Sequence, residues 1–180
     1  MKPTEELKHE HQVILLVLAG AERQAGGSGE VDLGQIGEMI EFFVNFVDRC
    51  HHAKEEKHLF VKMEERGIPH DDGPIRVMLD EHEQGRKLVA AMKGRLPAAT
   101  AGSGTAAEAL RPDLVACARL LRSHIDKEDN ILYPMADRVF TSEDQRGLED
   151  AFKKVELEEV GEGVHEKYHQ LAHRLAQGSP

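Results

Sequence analysis

The amino-acid sequence predicts an all-α protein: an up-down-up-down four-helix bundle over residues 1–140, with a helical extension over residues 141–180 packed on it. Three observations predict this. Apolar residues recur at steps of three and four along most of the chain, the period of a helix with one buried face. Only 4% of residues are aromatic while 31% are charged, a balance that favours helices over strands. The two halves of the bundle also carry the same polar pattern, a His followed at long range by His-x-x-x-Glu. In that pattern 40 residues separate His11 from His51, and 42 separate His82 from His124.

The first helix runs from about Glu5 to Ala25 with Thr4 as N-cap. Its stripe is Leu7, Ile14, Leu18, Ala21 and Ala25, and His11 fills the gap within it. Gly26-Gly27-Ser28-Gly29 ends the helix. The second opens at Asp32, with Gln35 three residues on as a capping-box partner, and closes near Arg66-Gly67. Its stripe is Ile36, Ile40, Phe43, Val47, His51, Glu55 and Leu59. An unbroken helical period puts His52 and Glu56 in phase with Glu41, Asn45 and Asp48, on the wet side. His51 and Glu55 are therefore expected to be functional, and His52, Glu56 and His58 to stay clear of any metal.

Pro74 suits the first position of the third helix, whose face carries Ile75, Leu79, His82, Val89, Met92 and Leu96. Pro97 to Thr105, rich in Ala and Gly, is expected to be the longest linker. The fourth helix is firm from about Pro112, with Leu114, Cys117, Leu121, His124, Glu128, Ile131 and Met135 in its stripe. Pro134 should kink it. Beyond Phe140, Ser142 and Gln145 form another capping box ahead of Leu148, Ala151, Phe152 and Val155. A last helix, from about Val164 to Ala176, shows Tyr168, Leu171 and Leu175 on one face, with His165, His169 and His173 beside it.

A formal charge of −10 without a basic stripe argues against nucleic acid and anionic membranes. The start is no signal peptide and no apolar run approaches membrane-spanning length, so a cytoplasmic protein is expected. Cys50 and Cys117 are not in a CxxC pair and read as reduced core-edge residues.

Counting along antiparallel helices at roughly 1.5 Å per residue places His11, His51, Glu55, His82, His124 and Glu128 at one level. A lone buried His is ordinarily a satisfied core residue. Six polar groups converging in one layer are costly unless paired or metal-bound. Four imidazoles and two carboxylates without an inward thiolate exclude a Cys-based zinc or iron–sulfur site. They suit iron, and zinc or manganese less well.

Glu10-His11, His51-His52-x-x-Glu55-Glu56-x-x-Leu59-Phe60, Glu81-His82-Glu83 and His124-Ile125-x-x-Glu128-Asp129-x-x-Leu132-Tyr133-Pro134 resemble the bacterial hemerythrin-like (HHE cation-binding) family over roughly residues 5–140. The resemblance implies two iron ions, bridged by Glu55, Glu128 and an oxo or hydroxo group. Ferritin-like di-iron proteins differ in carrying Glu-x-x-His. Oxygen-carrying hemerythrins have a second His one turn after the third-helix ligand, where this chain has Arg86. Of about twelve positions on two octahedral ions, roughly two then remain for water, substrate or another ligand. His165 is the first candidate for that ligand and His169 the next. Arg86 is expected either to pair with a ligand carboxylate or to be a surface charge.

The function implied is binding of O2 or a related small ligand, NO or peroxide, for sensing, storage or detoxification. The alternatives are a di-iron enzyme that decomposes peroxide or reduces nitric oxide, and a metal- or oxygen-responsive module acting through an unidentified protein partner.

Overall fold

The chain is helical wherever the apolar period runs, as a computed structural model of residues 1–161 and 163–177 shows; the side chains of residues 159, 160, 164 and 165 are not described. Among the described residues there are six helical stretches and no strand. Helix α1 spans Pro3–Gly26. Helix α2 covers residues 33–65, α-helical over Leu33–Phe42 and Phe60–Glu65, with wider π-type turns over Phe43–His52 and Glu55–Leu59. Helix α3 is Pro74–Thr100. Helix α4 covers residues 104–139, with a π-type turn at Glu128–Leu132 between Gly104–Lys127 and Tyr133–Val139. Helix α5 is Ser142–Val155, extended by a π-type turn at Glu156–Val160, and α6 is Val164–Gln177.

Several expectations move. The predicted linker at 97–105 is mostly helix: α3 continues through Pro97 to Thr100, and α4 begins at Gly104 with the Ser103 hydroxyl accepting from the Ala106 N–H. Alanine is the strongest helix former, so this Ala-rich stretch prolongs both helices and leaves a three-residue connection. Thr4 is not the first cap. Its hydroxyl donates to Asp137 Oδ1 at 2.8 Å, and α1 starts with Pro3. The cap of α5 is Thr141, in a capping box with Asp144, one residue before the expected pair. Pro134 is met by the π-type turn just ahead of it. Within that turn Ile131 is 53% exposed, and Leu132 and the following Tyr133 take the core positions.

The hydrophobic core has two parts with the polar layer between them. One holds Ile14, Leu18, Ile36, Phe46, Met92 and Leu114; the other holds Leu7, Leu59, Phe60, Met63, Ile75 and Phe152. Leu7 and Ile14 flank His11 on α1, and Val47 and Leu59 flank His51 and Glu55 on α2. Each long helix thus crosses from one apolar cluster to the other through the layer. Apolar packing on both sides keeps the layer dry.

The last two helices pack on α1 and α2. Tyr168 meets Phe42 edge-on at 5.6 Å, and Arg174 pairs with both carboxylate oxygens of Glu38 at 3.0 and 2.8 Å. Gly20 lets α6 approach: a Cβ there would lie 3.1 Å from the Leu175 carbonyl oxygen. Arg66 binds Asp144 through two N–H groups at 2.9 and 2.8 Å, and holds its carboxyl below the usual range.

Candidate metal centre

The π-type turns decide which side chains face the layer. A turn with an i→i+5 bond holds one residue more than an α-turn, so two consecutive residues can point inward. That is the physical reason His52 departs from its expected wet position. It is 4% exposed beside His51 at 1%, and its ring stacks on His82 with centroids 3.7 Å apart. Burial, then the neighbouring His82, His51 and His124, hold it neutral, well below the usual imidazole range.

The six residues picked out from the sequence all converge. His11, His51, Glu55, His82, His124 and Glu128 are each at most 2% exposed. The imidazoles meet in pairs through Nε2: His11 and His51 at 3.1 Å, His82 and His124 at 3.0 Å. Glu128 reaches both pairs, with Oε2 at 3.2 Å from His11 Nε2 and Oε1 at 3.1 Å from His124 Nε2. Glu55 also faces both, its Oε2 lying 3.7 Å from His51 Nε2 and 3.4 Å from His82 Nε2. Among the described residues of the layer, two groups could each hold an ion: His11, His51 and Glu128, and His52, Glu55, His82 and His124.

Every one of the four paired imidazoles is held from behind by a carboxylate on Nδ1. Glu10 holds His51 at 2.8 Å and Glu81 holds His124 at 3.0 Å, each within its own hairpin. Asp129 holds His11 at 2.8 Å and Glu56 holds His82 at 2.7 Å, each across hairpins. Such contacts fix ring orientation and leave Nε2 for a metal. Lysines complete the repeat: Lys54 binds Glu10 at 2.5 Å and Lys127 binds Glu81. Glu10/Glu81, His11/His82, His51/His124, Lys54/Lys127, Glu55/Glu128 and Glu56/Asp129 are therefore six equivalent pairs.

The repeat breaks at two places. Ile125 stands opposite His52, so only one half has a third imidazole. Phe60 stands opposite Tyr133. Phe60 stacks beside His82 at 5.9 Å, whereas Tyr133 stacks beside His11 at 5.5 Å and puts a hydroxyl 3.3 Å from its Nε2.

The cluster is unbalanced as it stands. Glu55 Oε2 and both oxygens of Glu128 are buried without a hydrogen-bond partner, as is His52 Nδ1, whose nearest carboxylate oxygen is on Asp48 at 3.7 Å. Burial opposes charge on His11, but Asp129 and Glu128 outweigh it and raise its pKa to about 10. His82 rises for the same reason, with Glu128, Glu55 and Glu56 winning over burial. Unpaired buried carboxylate oxygens ringed by imidazoles call for cations, so these residues fit a metal centre.

Arg86 is neither a ligand's partner nor a bare surface charge. It donates to Asp48 at 2.7 Å and to Glu56 at 2.6 Å, bracing the carboxylate that holds His82. The His165 side chain lies outside the described residues. His169 is half-buried on α6 and belongs to none of the ion-holding groups found among the described residues. A largely apolar cavity of about 220 Å³, walled by Val47, Val89 and Leu121, reaches His52.

Sequence reasoning missed His52, Lys54, Asp129 and Tyr133. The signal for Lys54 and Asp129 was present: aligning the two motifs sets Lys54-Glu55-Glu56 over Lys127-Glu128-Asp129.

The family model for the hemerythrin HHE cation binding domain matches residues 2–136. Curated relatives include the uncharacterized proteins Rv1995 and MT2051 of Mycobacterium tuberculosis and Mb2018 of Mycobacterium bovis. Each is 26% identical over 161 residues, covering 88% of this chain and 62% of the relative. The chain thus spans less than two thirds of their length. No solved structure matches it.

Proposed function

Because the chain belongs to the hemerythrin HHE cation-binding family, we propose that it is a non-haem di-iron protein that binds O2 or a related small ligand, NO or peroxide. We read residues 1–140 as an up-down-up-down bundle that builds the centre and residues 141–180 as an extension covering one side of it. His11 and His51 would hold one iron, and His52, His82 and His124 the other. Glu55 and Glu128 would bridge them. The carrying observation is the set of buried carboxylate oxygens on Glu55 and Glu128 that face both imidazole pairs and have no hydrogen-bond partner.

An oxo- or hydroxo-bridged iron pair supplies two-electron exchange with a small oxygen or nitrogen ligand. The protein's own part is positioning. Asp129, Glu10, Glu56 and Glu81 lock four rings by their Nδ1 atoms. The apolar clusters above and below the layer exclude bulk water. In this reading the fifth imidazole comes from His52 on α2, not from the last helix. Its arrival makes the centre three-to-two in imidazoles. With about six positions per octahedral ion, an ion on His52, His82 and His124 would be filled, and one on His11 and His51 would keep a position for an exchangeable ligand.

The cavity beside His52 is apolar apart from Asp48, Arg86, Lys93 and His52. It suits passage of a small neutral molecule better than an ionic substrate. No helix among the described residues is long and apolar enough to cross a membrane.

The test is optical. Iron-loaded protein, reduced anaerobically and then exposed to air, should develop an oxo-bridged di-iron absorption that reverses on deoxygenation or re-reduction. A spectrum unchanged by air would count against ligand binding. Sustained consumption of added peroxide without a stable band would favour the enzyme reading instead.

A further inference from the structure

We propose that Tyr133 is the hydrogen-bond donor to an anionic or oxygen-bearing ligand at the His11/His51 ion. The inference rests on the di-iron reading above and adds what recognises the ligand.

The observation behind it is the break in the internal repeat. Almost every group around the two imidazole pairs has a chemically matched counterpart in the other hairpin. Two exceptions touch the paired imidazoles themselves, and they act in opposite directions. His52 adds an imidazole to the His82/His124 side, whereas its counterpart Ile125 has no ligand atom to offer. Tyr133 adds a hydroxyl to the His11/His51 side, whereas its counterpart Phe60 has only a ring. One side is thus completed with a ligand, and the other is given a donor.

The geometry supports the assignment. The Tyr133 ring is 1% exposed and lies nearly parallel to His11, at 11°. Its hydroxyl is 3.3 Å from His11 Nε2, the atom that would face the metal, and it donates to Glu55 Oε1 at 2.6 Å. A carboxylate bridging two ions uses both oxygens. Drawing Oε1 onto the His11/His51 ion weakens its hold on the phenol, whose O–H reaches a neighbouring ligand by rotating about its C–O bond without moving the ring. A donor held in a dry layer contributes more than one in water, because no solvent competes for the acceptor.

The probe is azide, titrated optically into ferric protein. Tyr133→Phe should bind azide roughly 10- to 100-fold more weakly than the wild type, the range for loss of a hydrogen bond to a charged group. Phe at this position is what the repeat already uses at position 60, so the iron content should be unchanged. Phe60→Tyr should leave azide affinity within about twofold, since the ion it faces has no exchangeable position. If Tyr133→Phe loses iron, the azide stretch of the wild type in H2O and D2O decides, with an isotope shift expected. Wild-type affinity in Tyr133→Phe, or no isotope shift, overturns the inference. So does an intense phenolate-to-iron band that disappears in Tyr133→Phe, because the side chain would then be a ligand. A wild type that holds no iron pair would instead sink the di-iron reading itself.

Discussion

Glu128→Gln is expected to fold and to lose most of its metal, retaining less than one ion per chain where the wild type is expected to hold two. The carboxylate is fully buried, and its oxygens lie 3.2 and 3.1 Å from imidazoles of the two different groups. It is the residue that ties one half of the centre to the other. An amide of the same shape keeps the packing but withdraws the negative charge and one of the two acceptor atoms. Charge is what a pair of cations in a water-poor layer requires, since they cannot recover their hydration there. The helical content by circular dichroism should match the wild type, while elemental analysis shows the loss. Full metal occupancy in Glu128→Gln would remove Glu128 as a bridge. The mirror substitution Glu55→Gln should behave similarly, because Glu55 also faces both groups.

The second large effect is on stability. Lys54 is fully buried, and its ammonium contacts Glu6 at 2.7 Å, Glu10 at 2.5 Å and Glu156 at 2.7 Å, with the Phe152 ring 5.5 Å away. Lys54→Met fills much the same space but leaves three carboxylates crowded without their shared cation. Breaking a buried ion pair by removing one partner typically costs about 3–5 kcal/mol, so the denaturation midpoint should fall by a corresponding amount. Two further consequences distinguish this from simple destabilisation. Glu156 lies on the extension, so residues 141–177 should become sensitive to protease before the rest of the chain. Glu10 also holds His51, so metal should bind about 10- to 100-fold more weakly, the usual cost of disturbing a carboxylate behind a ligand imidazole. An unfolding free energy within about 1 kcal/mol of wild type would rule out this role for Lys54.

The helices and six of the residues at the centre were legible from residue spacing. Leu7, His11, Ile14 and Leu18 lie on one α-helical stripe, and all four are buried. The same holds for Ile36, Ile40, Phe43, Val47, His51, Glu55 and Leu59, so the first member of each His-x-x-x-Glu motif could be placed correctly. What escaped was local departure from the α-helical period. An unbroken period assigns His52 to the solvent side, and the π-type turn over Phe43–His52 brings it in. It likewise puts Ile131 in the core, and the turn over Glu128–Leu132 puts it out. A single extra residue per turn leaves no mark in a hydrophobic pattern that is otherwise continuous.

The carboxylates behind the imidazoles were hidden for a different reason. Asp129 holds His11, and Glu56 holds His82, across hairpins that touch only after folding. Acidic residues on a helix are usually solvated, and nothing in their own neighbourhood sets these apart. Only the alignment of the two motifs marks them. The segment from Pro97 to Thr105 was expected to be a linker for its Ala and Gly content, yet Ala favours helix. A proline costs an interior helix one hydrogen bond, which α3 bears at its last turn before ending at Thr100.

On the proposed reading, five imidazoles and two carboxylates of the layer would hold a bridged pair of irons. Iron analysis of the chain purified from iron-replete cells without chelators, read together with its Mössbauer spectrum, tests this most directly. Two irons per chain are expected, coupled to a diamagnetic ground state when oxidised and split into two unequal sites by the three-to-two share of imidazoles. A folded chain carrying a single iron, two uncoupled irons or none would contradict that reading.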